Sequence, residues 1–325
     1  MTTLASNLSS VRRIPRVFID FVIGTLLCLS PLTAILVLGW MSRKMAARID
    51  ARLLGVADRP RWLLGSQDTG WFEWLFGGLA ANIRSGIVTL VGLALLTLPF
   101  SVLWLGAWWG GWENSFNKGY EQSSIGPIVW FVGAAIALPI LAHLPMALAH
   151  AASEKRFAAF FEWRRIRSAF RAAGWRVVWL ALLTTVLSVP FFGMRALPVF
   201  VEGLVPGFTD MLPEDQLAVA QMFDLAGAAL AFTLVLSLRL HAAAIYCVAA
   251  PRAAHGRDSA LWDGHPASRV TPKRREPSRN MGAVWLLVSS VICIGIPAQI
   301  VVGQFMNYSP IFWLTHPIFL LPWAG

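Results

Sequence analysis

The sequence predicts an all-α, polytopic membrane protein with six transmembrane helices arranged as three hairpins, and three observations carry that reading. The 325 residues are 57% hydrophobic and only 14% charged, outside the range of soluble globular domains. Apolar runs recur that are long enough to cross about 30 Å of hydrocarbon. The bases gather between those runs rather than within them.

The spans fall at 17–41, 86–108, 128–149, 177–200, 218–250 and 281–303. Pro31, Pro99, Pro139, Pro145, Pro190 and Pro297 lie inside five of them, as membrane helices tolerate, so kinks are expected. Around the spans the chain divides into a basic tail over 1–16, a helical bundle over 17–250, a flexible basic loop over 251–280, and a last span with an aromatic tail over 281–325.

Net charge is +10, which raises the question of a nucleic-acid partner. Of the 27 Lys and Arg residues, 21 sit in three loops, 42–85, 151–176 and 251–280. The loops between them hold Lys118 as their only base, and one is acidic, with Glu202, Asp210, Glu214 and Asp215. The positive-inside rule therefore places the basic loops in the cytoplasm of a bacterial inner membrane, and the charge reports topology rather than nucleic acid. The first segment strains this map, because Arg12, Arg13 and Arg16 precede it. Either it crosses once, the reading favoured by its 25 residues, or it breaks at Ser30-Pro31 and returns.

Interfacial helices are expected near 71–84 and 157–175. In the second, Phe160, Trp163, Ile166, Phe170 and Ala173 form one stripe, with Arg164, Arg167 and Arg171 beside it. Such arginines set topology, and they also suit anionic lipid headgroups or an acidic protein partner, each contributing about 1 kcal/mol near a charged leaflet. The tetrapeptides Trp71-Phe72-Glu73-Trp74 and Phe160-Phe161-Glu162-Trp163 suggest a parallel repeat. Trp104, Trp108, Trp109, Trp112, Trp313 and Trp323 read as aromatic belts.

Ionisable groups at membrane depth are costly and hence candidates for function. Asp20, His143, Asp224, Arg239 and His241 qualify. Asp224 and Arg239 share one helix about 22 Å apart, so they cannot pair, and a polar clamp is the first reading for Arg239. His143, Ala147, His150 and Glu154 share a stripe, but two histidines without a third ligand read as packing groups and imply no cofactor or metal. Cys28, Cys247 and Cys293 form no disulfide framework. With no nucleophile elbow, phosphate loop or zinc helix, the chain does not read as an enzyme. It reads as a binding or assembly component contacting anionic lipid or a protein partner at its cytoplasmic face. The alternative is a small-solute or lipid transporter using Asp224, Arg239 and His241.

The run Ser30-Pro31-Leu32 to Leu38-Gly39-Trp40-Met41, then Arg59-Pro60-Arg61-Trp62, Gly77-Gly78-Leu79 and Leu98-Pro99-Phe100, resembles an uncharacterised family of bacterial and archaeal polytopic membrane proteins, as does His150-Ala151-Ala152 to Trp163-Arg164. The resemblance covers about residues 18–189. It implies an integral-membrane fold and carries no functional residues.

Overall fold

The computed structural model describes residues 13–56, 60–65, 71–108, 125–272 and 280–292. Within them the chain is all-helical. In order run α1 (Arg13–Leu27), α2 (Pro31–Leu53), α3 (Trp71–Ala107), α4 (Ile125–Glu154), a 3-10 turn (Phe157–Phe161), α5 (Trp163–Ala173) and α6 (Trp175–Ala196). The short α7 (Val201–Leu204) leads to α8 (Pro213–Ala254), two 3-10 turns (Ser259–Trp262, Pro266–Arg269) and α9 (Met281–Ile292).

Three helices are long and apolar enough to cross a membrane, and a fourth span results if the bent pair α5–α6 counts as one. They correspond to the expected spans at 86–108, 128–149, 177–200 and 218–250. Six spans are not supported, and the two discrepancies have separate causes. The stretch 17–41 is broken. α1 stops at Leu27, and Pro31, which lacks an N–H to donate, opens α2 after Ser30 in extended conformation. Thr33 Oγ1 donates to Leu27 O (2.7 Å), capping the end of α1. Lys44 Nζ lies 3.1 Å from Asp20 Oδ2, whereas in one straight helix those residues would be about 36 Å apart. The chain therefore turns back, as in the broken-hairpin alternative rather than the single crossing. In the stretch 281–303, α9 covers Met281–Ile292, and the remainder lies outside the described residues, together with Pro297.

α8, 42 residues or about 63 Å long, is the central post and packs on α1, α2, α4, α5 and α6. Its small residues Ala228, Ala231, Ala242, Ala243, Ala249 and Ala250 are fully buried, which lets neighbouring backbones approach. α2 and α3 cross still more closely. A Cβ on Gly39 would stand 1.8 Å from Asn82 O, and one on Gly86 would stand 2.1 Å from Ile35 O. The outward faces stay apolar, with Ile128, Phe131, Val186, Val189 and Leu286 exposed, the surface that lipid covers.

Lys155 Nζ meets Asp50 Oδ2 at 2.7 Å, so the C-terminal ends of α2 and α4 share one end of the bundle. This basic end also carries α5 and the C-terminal end of α8. The segment expected to be a flexible loop is folded over 251–272: α8 runs on to Ala254, and Trp262, His265 and Ala267 are buried. Trp104, expected in a belt, is buried and stacks on Trp130 at 5.6 Å, donating to the Trp130 carbonyl. Trp108 is also buried, and Trp109, Trp112, Trp313 and Trp323 lie outside the described residues. The paired tetrapeptides adopt different conformations. Trp71–Trp74 opens the continuous α3, whereas Phe160–Trp163 spans the break between a 3-10 turn and α5.

Candidate functional site

α5 lies across the basic end. Its Ile166, Ala169, Phe170 and Ala173 are buried at helical spacing, while Arg164, Arg167 and Arg171 are exposed. At Gly174 the backbone takes φ +58°, a left-handed conformation that glycine adopts without steric cost. The chain turns 93° there, from α5 into α6. α5 thereby lies at a steep angle to α6, which packs along α8.

The turn opens a cleft of about 600 Å³ between α4, α5 and α9, a size suited to a small ligand. Ile140 and His143 of α4 face Trp163 and Phe170 of α5 across it, and Trp285 of α9 closes the side. The rings are mutually packed, with His143 4.4 Å from Phe170 and 5.7 Å from Trp285. His143 Nδ1 donates to the Pro139 carbonyl (2.7 Å), because a carbonyl only accepts. Arg167 and Arg171 complete the lining. Arg171 Nη1 stands 3.5 Å from Asp258 Oδ2. The arrangement has a mostly apolar, aromatic interior and a cationic rim.

Beside the cleft lies a second polar centre, a clasp that fastens the 255–272 segment to the bundle. His150 and Tyr246, 96 residues apart, meet at 2.8 Å (Nδ1 to the hydroxyl). His150 Nε2 stands 2.8 Å from Glu162 Oε2, and Tyr246 Oη stands 3.3 Å from His265 Nε2. Ala267 N donates to His265 Nδ1 (3.0 Å), so that nitrogen is the acceptor and Nε2 bears the hydrogen of the neutral ring. His265 Nε2 then faces two acceptors, Tyr246 Oη and Glu154 Oε1 at 3.4 Å, while Tyr246 donates to His150 Nδ1 and His150 Nε2 to the Glu162 carboxylate. Arg165 and Arg156 pair with Glu162, and Arg165 also donates to the Leu261 carbonyl. Trp262 Nε1 donates to Ser168 Oγ at 2.9 Å.

Burial lowers the His265 pKa from 6.5 to about 4, against the opposing charge of Glu154. Burial alone would raise the Glu162 carboxyl, but the hydrogen bond from His150, the Arg165 charge and the hydrogen bond from Arg156 outweigh it and hold the carboxyl below its ordinary value. The clasp is built for a neutral His265 and an ionised Glu162.

The other expected site residues do not converge. Arg239 is fully buried, donating to Ser42 Oγ at 3.2 Å, with Met45 Sδ at 3.9 Å. Ser42 in turn meets Thr89 Oγ1 (3.0 Å) and bonds the Leu38 carbonyl. Asp224 and His241 are exposed on α8. Asp20 binds Lys44 and accepts from Trp62 Nε1 at 2.9 Å, so it fastens α1 to α2. The His143–His150 stripe divides, with His143 in the cleft and His150 in the clasp. Sequence reasoning missed Tyr246 and Trp262, and it ranked His265 as a weak candidate in a flexible loop. The signal was faint: a Trp and a His-Pro pair inside a charged segment. No group of three His, Cys, Asp or Glu among the described residues is placed to hold a metal ion.

Comparison with protein-family models, curated proteins and solved structures finds no match.

Proposed function

We propose that this protein binds an anionic amphiphile at the cytoplasmic interface of its membrane, with the α4–α5–α9 cleft as the site. The cleft itself carries the reading. An aromatic, apolar interior takes a hydrocarbon chain, and Arg167 and Arg171 at its rim meet a negative headgroup. α5, flat and amphipathic, sits where headgroups and chains meet. The positive-inside rule places this end in the cytoplasm. The transport alternative draws no support from the cleft, whose lining includes none of Asp224, Arg239 or His241.

Changing Arg167 and Arg171 together to Gln tests the site, with Arg164→Gln as control, since Arg164 is exposed on the same helix but does not line the cleft. At about 1 kcal/mol per arginine, the double variant loses at least about 10-fold in phosphatidylglycerol affinity measured in detergent. The control keeps the parent affinity. Equal losses in both would reduce the arginines to a diffuse surface charge.

Orientation has its own test. Thr209 and Ser259 are exposed near opposite ends of α8. A cysteine at Thr209 reacts with an impermeant thiol reagent in intact spheroplasts, and one at Ser259 reacts only after lysis. The reverse pattern would turn the protein over.

A further inference from the structure

The cleft does not end at its arginine rim. A groove of about 1080 Å³ opens on the other side of Arg171 and Met281, and these two residues line both spaces. The two lie in series: first the aromatic cleft between α4, α5 and α9, then the groove, bounded by the C-terminal turn of α5, the Gly174 bend, the end of α8 and the segment that follows it.

Their chemistry differs sharply. The cleft is walled by rings and aliphatic side chains. Among the described residues the groove is lined by four guanidiniums, Arg171, Arg176, Arg252 and Arg257, against one carboxylate, Asp258. That carboxylate is engaged with Arg171 at 3.5 Å. Arg176 and Arg257 are exposed, and His255 lies at the same surface.

A lipid with a single phosphodiester brings one negative charge, and the rim guanidiniums match it. Among the described residues, it would leave Arg176 and Arg257 facing a space larger than the cleft whose one carboxylate, Asp258, is already engaged by Arg171. Guanidinium groups pair with phosphate oxygens two at a time, so a set of this size matches more than one phosphate.

We infer that the ligand is a lipid whose headgroup carries at least two phosphates, its chain in the aromatic cleft and its polyphosphate in the arginine groove. The inference rests on the proposed cleft function and names the ligand class for it. Arg171 stands at the junction and touches the phosphate nearest the chain. Arg176 and Arg257 read the distal phosphate, which makes them the specificity-determining residues. A short-chain isoprenoid bearing one or two phosphates poses the question directly, because the two compounds share a chain and differ by one phosphate.

The test compares farnesyl monophosphate, farnesyl diphosphate and inorganic pyrophosphate as ligands of the purified full-length protein in detergent, read by quenching of its tryptophan fluorescence. The parent binds the diphosphate at least about 10-fold more tightly than the monophosphate, and pyrophosphate alone binds at least about 10-fold more weakly than the farnesyl diphosphate. Arg176→Gln with Arg257→Gln brings the two farnesyl compounds to within about 2-fold of each other while leaving monophosphate affinity at the parent value. Arg167→Gln weakens both. Equal affinity of the parent for the two farnesyl compounds would overturn the diphosphate assignment and leave the cleft function standing. Failure of the parent to bind either compound or phosphatidylglycerol would remove the cleft function itself. Pyrophosphate binding as tight as that of the farnesyl diphosphate would show a soluble anion site with no role for the cleft. If the double variant fails to fold, Arg257→Gln alone, on the exposed segment after α8, must still narrow the ratio.

Discussion

Arg239 and Arg171 are the same residue type in the same bundle, yet their surroundings divide them completely. Arg239 is sealed among Ser42, Met45 and the α8 core. Arg171 is exposed, touches one carboxylate, and lines two open spaces. Depth in the membrane is the usual reason to suspect an arginine of function. Here the buried arginine serves packing and the exposed one borders open space. Access, more than depth, distinguishes the two.

The comparison can be broken most forcefully at the crossing that positions Ser42. Gly39→Val puts a branched side chain where a single Cβ would already overlap Asn82 O. α2 must separate from α3, Ser42 leaves Thr89, and the expected loss exceeds about 3 kcal/mol, visible as failure to survive detergent extraction as a monodisperse species. A Gly39→Val protein with parent thermal stability would show that the helices do not cross there.

A comparable effect comes from Arg239 itself. Arg239→Ala empties a fully buried volume and costs about 2–5 kcal/mol, by analogy with other long side chains, while amphiphile affinity of the folded fraction holds. Arg239→Leu keeps most of the volume and loses only the polar bonds, so its melting temperature falls less. If instead Arg239→Leu abolishes ligand binding at unchanged stability, the distinction between the two arginines collapses.

The clasp supplies the mildest perturbation, since pH alone reaches it. In the unfolded chain His265 takes up its proton near pH 6.5, but in the folded one only near pH 4. Between those values the unfolded state binds more protons, so stability is full above pH 6.5 and falls as pH drops toward 4, by at most about 3 kcal/mol. Glu162 adds to this in the same direction at the acid end, where its depressed carboxyl finally protonates. Thermal melts at pH 7 and pH 4.5 should differ, and His265→Gln should shrink the difference. An unchanged slope in that variant would assign the acid sensitivity to other groups.

Much of the scaffold was legible because hydrocarbon imposes length and apolarity on each crossing, and the stretches around 86–108, 128–149, 177–200 and 218–250 satisfy both. The stretch 17–41 satisfies both as well, and misled, because the break comes from one proline after an extended serine rather than from any change in composition. Arg167 and Arg171 could be marked from the helical spacing of Ile166 and Phe170. The cleft could not, since it depends on a 93° turn set by the backbone angle of a single glycine. Nor could the clasp, because His150, Tyr246 and His265 come from three separate parts of the chain and no periodicity links them. Averaged charge also made 251–272 look solvated, although Trp262 at its middle is fully buried.

The length of α8 has a mechanical consequence. Arg239 pins it against α2 26 residues from its start, about 39 Å along the axis, while Tyr246 is only about 10 Å beyond the pin. If the rod pivots at that pin, it is a lever with arms near four to one. A displacement of about 4 Å at the Pro213 end reaches the Tyr246 hydroxyl as about 1 Å, enough to lengthen its 2.8 Å contact with His150 past hydrogen-bonding range. Large excursions on one side of the membrane would thus arrive on the other as small, forceful adjustments of the clasp.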